Sequence, residues 1–225
     1  MSIKQQLEQD GYAILRGVFF SQEIVAMRQE AAAFLSSGTR PVNGGVCAGP
    51  APAMSALARR LANEERLSFC NGELPRQIHV HAGTFNDWHA DLEPLANENA
   101  VGEPSAWMHK IVIYLQDHPV RDGFSVVPGS HRKCNHRRAA LHVDSRAGDI
   151  VIFHHSVRHA GRLPNRFIAI VSWRLYRLGF TQTAGSLFWL QHFMQPKPAI
   201  PRLAIFVSFA SFPDINRRHA ALRAQ

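Results

Sequence analysis

Thirteen histidines lie among 225 residues, and two stretches place them where they could hold a metal ion. In Trp88-His89-Ala90-Asp91 an imidazole and a carboxylate are two residues apart, and on an extended segment side chains at i and i+2 leave the same face. Both can then reach one ion. Further on, Gly148-Asp149-Ile150-Val151-Ile152-Phe153 has a buried-strand pattern, and the run His154-His155-Ser156-Val157-Arg158-His159 at its end supplies a third donor. Two imidazoles and one carboxylate on one side of an ion leave the opposite positions open, which suits non-haem Fe(II) that must bind a cosubstrate and dioxygen. A His-x-Asp triplet alone is weak, because a chain so rich in histidine contains such triplets by chance.

The elements that must position these residues are legible in outline. A short polar helix over Ile3 to Gln9 ends at Gly11 and leads into a β-rich run from Tyr12 to Val18. Ser21 can cap a helix whose apolar positions Ile24, Met27, Ala31, Phe34 and Leu35 recur at helical spacing. Arg40 to Pro52 is dense in Gly, Pro and Ala and reads as a loop, and Met54 to Glu65 returns to helical composition. Short β-type segments follow: Gln77 to His81, His109 to Leu115, Phe124 to Val127, Asp149 to Phe153, Phe167 to Trp173 and Leu203 to Phe209. Gly, Pro, Asn and Asp clusters separate them, the signature of an antiparallel sandwich or barrel. The expected fold is α+β with a mainly β core. Thr181 to Pro198 is ambiguous, since Leu187 to Met194 reads either as a packing helix or as a hydrophobic lid over substrate.

The length suits a single domain over residues 1–225. No apolar run approaches the roughly 20 residues that cross a bilayer, and the polar opening MSIKQQLEQDGY lacks a signal-peptide block, so a soluble, cytoplasmic protein is expected. Cys47, Cys70 and Cys134 are widely spaced and odd in number, which supports neither a disulfide framework nor a thiolate zinc site. The formal net charge of +8 invites a nucleic-acid reading. The basic residues are scattered in small clusters, however, so a solvated basic surface or an anionic small-molecule substrate accounts for the charge better.

Four motifs in order give the chain a wider context. Leu7-Glu-Gln-Asp-Gly-Tyr-Ala-Ile-Leu-Arg-Gly-Val18, Trp88-His-Ala-Asp91, Asp122-Gly-Phe-Ser-Val-Val-Pro-Gly-Ser-His131 and the strand from Gly148 to Gly161 together resemble the phytanoyl-CoA dioxygenase family of Fe(II)- and 2-oxoglutarate-dependent oxygenases. The resemblance covers nearly the whole chain. It implies a double-stranded β-helix, or jelly roll, with flanking N-terminal helices, and Fe(II) held by His89, Asp91 and His159. It also implies that 2-oxoglutarate and dioxygen are cosubstrates and that a small metabolite is hydroxylated as 2-oxoglutarate is decarboxylated to succinate. An aspartate in the metal motif disfavours halogenation, for which related enzymes carry a small residue there.

The resemblance further implies an arginine that receives the distal carboxylate of 2-oxoglutarate, a task for which its planar fork is suited. Arg202-Leu-Ala-Ile205 matches the family's Arg-x-Ala-Ile register but lies 43 positions after His159. Arg166-Phe-Ile-Ala-Ile170 sits at the usual distance, one residue out of phase. A one-residue slip turns side chains to the other face of a strand, so register favours Arg202 over Arg166.

Other residues keep two readings. His155 is a partner of the metal ligands or a substitute for one, whereas His154 reads as structural. His79 and His81 line the pocket or are ordinary polar strand residues. Lys110 points inward to neutralise cosubstrate, or snorkels out. Ser130 and His131 stabilise their turn. Trp88 packs over the ligand ring or faces substrate, which the sequence leaves open. The substrate expected is a small molecule, with an acidic group and an apolar portion if the lid reading holds. The alternatives are a jelly-roll binding protein without turnover and a nucleic-acid-directed oxygenase.

Overall fold

A computed structural model describes residues 1–36, 41–42, 45–46, 61, 78–82, 88–91, 108–117, 123–132, 139–161, 171, 174–175, 177–180 and 203–210. Helix α1 (Ile3–Asp10) starts at a capping box, in which Ser2 Oγ accepts from Gln5 N at 3.2 Å while Gln5 Oε1 accepts from Ser2 N at 2.8 Å. It stops at Gly11, whose left-handed φ of 77° lets the chain turn directly into strand β1 (Tyr12–Leu15). Helix α2 (Ser21–Ser36) includes Ser21, and the Glu23 carboxylate satisfies the amide of Phe20 just before it.

Among the described residues there are ten short strands, β1 included. β4 (Ile78–Ala82), β5 (Met108–Tyr114), β8 (Ile150–His154) and β10 (Leu203–Ala210) join β1 in a five-stranded antiparallel sheet of order β1-β8-β5-β10-β4. β6 (Phe124–Val126), β7 (Leu141–Val143) and β9 (His159–Ala160) form a second sheet, β7-β6-β9. β2 (Pro41–Val42) and β3 (Gly45–Val46) form a small hairpin inside the segment read as a loop.

The near-continuous apolar runs of β5 and β8 arise because both faces of the large sheet are covered. Ile111, Ile113, Ile150, Ile152, Leu203, Ile205 and Val207 pack with Leu7, Ile24, Met27 and Ala31 of the helices. The alternate residues Val112, Tyr114, Val151, Phe153 and Ala204 pack with Phe124, Val126 and Val143 of the small sheet. The result is a mainly β structure in which two antiparallel sheets share a core and helices cover the outer face.

One expected strand fails. Val171, inside the Phe167 to Trp173 segment, is helical, as are Arg174, Leu175 and Arg177. A short apolar run cannot be assigned to strand or helix by periodicity alone, and here its β-branched content misleads. Arg166, Arg202, the Thr181 to Pro198 stretch and the three cysteines lie outside the described residues. Among the described residues no helix is long and apolar enough to cross a membrane.

The opening strand is locked to β8 by Asp149, whose carboxylate accepts from Gly17 N at 2.9 Å, Arg146 N at 3.0 Å and Arg16 Nη1 at 2.6 Å. Burial works against its charge, but these donors outweigh burial and hold its pKa below the ordinary carboxylate range. Beside it the Gly148 carbonyl accepts from both Val18 N and Phe19 N, and a Cβ on Gly148 would meet Phe19 O at 2.5 Å. Gly17, also at positive φ, has nothing within 4 Å of a built Cβ. Gly148→Ala should therefore lose roughly 2 kcal/mol or more of stability in urea unfolding, against about 1 kcal/mol for Gly17→Ala. Equal losses would show that backbone conformation alone matters at Gly148.

Candidate metal centre

The site begins with a backbone register. His89 N donates to His159 O at 3.0 Å and His159 N donates to His89 O at 2.9 Å, an isolated antiparallel bridge. Directly paired residues on antiparallel strands send their side chains to the same face. The two imidazoles accordingly lie with ring centroids 4.3 Å apart. Asp91, two residues beyond His89, joins them, and one donor atom from each of His89, Asp91 and His159 lies within 4.8 Å of the other two.

Further bonds fix each donor. His159 Nδ1 lies 2.9 Å from the carbonyl of Val157; a carbonyl only accepts, so Nδ1 carries the hydrogen and Nε2 presents its lone pair to the site. The Phe153 and Phe124 rings stand 4.4 and 5.4 Å from the His159 ring. Burial in these apolar surroundings, reinforced by His89, pushes His159 down to about 3, so it is neutral and ready to ligate. The Asp91 side chain is only 8% exposed. Burial opposes its ionisation, but Lys110 first, then His89, His159 and His155, more than offset that and hold it well below the usual carboxylate range. A neutral imidazole face and a formal negative charge form a donor set matching an Fe(II) site.

Lys110 resolves inward: its Nζ is 3.1 Å from Asp91 Oδ2 and 5.1 Å from the centre of the Phe206 ring. Lys110 shares strand parity with Val112 and Tyr114, which face the small sheet, and that parity is the signal for its direction. His155 is fully buried with Nδ1 3.9 Å from Asp91 Oδ2, reached from the turn after β8, which fits the reading of a partner to the proposed ligands.

His154 shares the parity of Ile150 and Ile152, so it lies on the helix side of the large sheet. There its ring is 5.4 Å from His109 and 5.3 Å from His131. His131 Nε2 is 3.2 Å from the Glu8 carbonyl of α1, reaching across to a helix and not into its own turn. Ser130 Oγ accepts from Arg158 N at 2.8 Å and so steadies the approach to His159. Trp88 packs with Val127 and Ala160. The strand holding His79 and His81 pairs with β10, but their side chains lie outside the described residues. Phe124 and Phe153, the wall beside His159, escaped the sequence reading, although both belong to strands whose alternation turns them inward.

No protein-family model matches this chain, and no curated protein matches it. Solved structures do. The non-heme alpha ketoglutarate dependent epimerase SnoN from nogalamycin biosynthesis matches with 18% identity and a TM-score of 0.58 over 92% of this chain and 80% of its own. EctD from S. alaskensis, solved with 2-oxoglutarate and 5-hydroxyectoine, matches with 17% identity and a TM-score of 0.62 over 92% of this chain and 74% of its own. AviO1 from Streptomyces viridochromogenes Tue57 matches with 17% identity and a TM-score of 0.54 over 94% of each chain. At these identities the likeness is one of fold.

The buried histidines make the protein sensitive to acid. Desolvation, with the neighbouring His109, drives His154 to about 2, while both His154 and His159 regain the ordinary 6.5 on unfolding. Below pH 6.5 the unfolded chain takes up protons that the folded chain refuses, so stability falls as pH falls. Asp91 and Asp149 act the same way only below their unfolded value of 3.8. From pH 7 to pH 5, urea unfolding of the metal-free protein should register a loss of about 2 kcal/mol for each of His154 and His159. His154→Phe should flatten that dependence, and an unchanged slope would contradict the burial of neutral His154.

Proposed function

We propose that this chain is an Fe(II)/2-oxoglutarate-dependent oxygenase with a double-stranded β-helix of the phytanoyl-CoA dioxygenase-like type, acting on a small molecule. The observation that carries this is the convergence of His89, Asp91 and His159, from segments distant in sequence, on one small volume. The fold likeness to SnoN and EctD supports it independently. His89, Asp91 and His159 are the residues that hold the metal. When bound, the ion with its cosubstrates supplies oxidising power that side chains lack.

The chain's own residues do the rest. Val157 fixes the His159 tautomer, Lys110 keeps Asp91 ionised and oriented, and Phe124 and Phe153 close one side of the site against water. Arg202 is the proposed partner of the distal carboxylate of 2-oxoglutarate, with Arg166 the alternative. Arg202 keeps the Arg-x-Ala-Ile register in the sequence, whereas the helical Val171 removes support for a strand opened by Arg166.

Hydroxylation of a small metabolite is the proposed outcome, favoured over halogenation by the carboxylate at Asp91. SnoN is described as an epimerase and SnoK, also from nogalamycin biosynthesis, as a carbocyclase; the outcome therefore depends on where the substrate C–H bond is held. The basic balance of the chain favours a substrate with an acidic group.

Succinate formation from 2-oxoglutarate in air, with Fe(II), tests the assignment. The intact protein should release succinate, and Asp91→Ala and His159→Ala should abolish it. Arg202→Ala should raise KM for 2-oxoglutarate by about 30-fold or more, the cost of unpairing a buried carboxylate, while Arg166→Ala leaves it unchanged. Succinate release indifferent to Asp91→Ala would overturn the proposal, and the opposite arginine result would exchange their roles.

A further inference from the structure

Lys110 is a cation enclosed in an apolar strand, with only 10% of its side chain exposed. Ile111, Val112 and Ile113 follow it in β5, and the Phe206 ring of β10 lies against its ammonium. It reaches one oxygen of Asp91, Oδ2, at 3.1 Å. The other oxygen, Oδ1, faces His89 Nε2 at 3.6 Å. His159 Nε2 and His155 Nδ1 stand farther from Oδ2, each at 3.9 Å. Among the described residues the ammonium is thus the nearest cationic group to that oxygen, and it donates a charge-assisted hydrogen bond there.

A ligating carboxylate can grip an ion with one oxygen or with both. A facial triad is useful only while its remaining positions stay open, and a two-oxygen grip would use up one of them. Resting on the metal reading above, we propose that Lys110 is a positioning residue that reserves Asp91 Oδ2, restricting the aspartate to one-oxygen ligation through Oδ1 and so keeping the open positions available for cosubstrates. The enclosure makes the restriction firm. Withdrawing the ammonium would leave the buried carboxylate charge without the cation that contacts it. Any partner of the ligating carboxylate that could neither donate nor carry charge would free Oδ2.

Water relaxation by bound Mn(II), with no cosubstrate or turnover, reads this directly, because each open position on the ion holds an exchangeable water. The metal-free full chain and its Lys110→Met and Lys110→Arg variants are titrated with Mn(II), their folding being checked by circular dichroism. Lys110→Met should lower the water-proton relaxation enhancement by about a third, one of three open positions lost, and Lys110→Arg should restore it. If Lys110→Met does not fold, Lys110→Gln, which keeps a polar end without the charge, should give an intermediate drop. An enhancement unchanged in the neutral variants, with wild-type Mn(II) binding intact, overturns this inference alone and leaves a merely structural ion pair. Wild-type protein that does not bind Mn(II) overturns the metal reading and this inference with it.

Discussion

The site depends on one short backbone contact, the reciprocal pair of hydrogen bonds between His89 and His159. A paired antiparallel position is among the few local geometries that oblige two residues far apart in sequence to project on the same side at close range. Given that pairing, the two-residue spacing from His89 to Asp91 adds the carboxylate without further demands on the chain. The donor set is therefore a consequence of register, and a slip of one residue on either side would dismantle it.

Much of the surrounding structure serves to hold that register. β9 is only two residues long, yet β6 pairs with it, Val127 N donates to Arg158 O, and Ser130 Oγ receives Arg158 N. The Pro128-Gly129-Ser130 turn is itself tied to the N-terminal helix through Gly129 N and Asp10 O, 2.7 Å apart. Behind it, β8 runs between β1 and β5 with every residue buried, delivering the chain to the turn that precedes His159. The helices on the outer face and the small sheet on the inner face thus act on the same element from opposite sides. The candidate donor His159 follows a strand that is packed on both faces.

The sequence made the candidate donors His89, Asp91 and His159, the buried strands around Val112 and Val151, and both N-terminal helices legible, through their spacing, their apolar runs and their motifs. Apart from Phe124–Val126, strands of two or three residues were not legible. His159–Ala160 and Leu141–Val143 have too few positions to show alternation and exist because a neighbour pairs with them. The helical Val171 escaped for another reason: periodicity alone does not tell strand from helix in a short apolar run, and its β-branched content favoured the strand reading. Lys110 lies between these cases. Its parity with Val112 and Tyr114 was readable, but which face of β5 meets the site follows only from how the two sheets pack. The mutual placement of Phe124 and Phe153 around His159 likewise belongs to packing.

The electrostatics follow from the same enclosure. An anionic Asp91 beside a neutral His159, with the Lys110 ammonium against the carboxylate, suits a divalent cation. Anaerobic titration of the metal-free protein with Fe(II) and 2-oxoglutarate tests that most directly. The weak visible charge-transfer band of the chelate should grow to one equivalent of iron per chain and be absent from His89→Ala. A flat spectrum with intact protein, or the same band in the variant, would contradict the convergence of these three side chains on one ion.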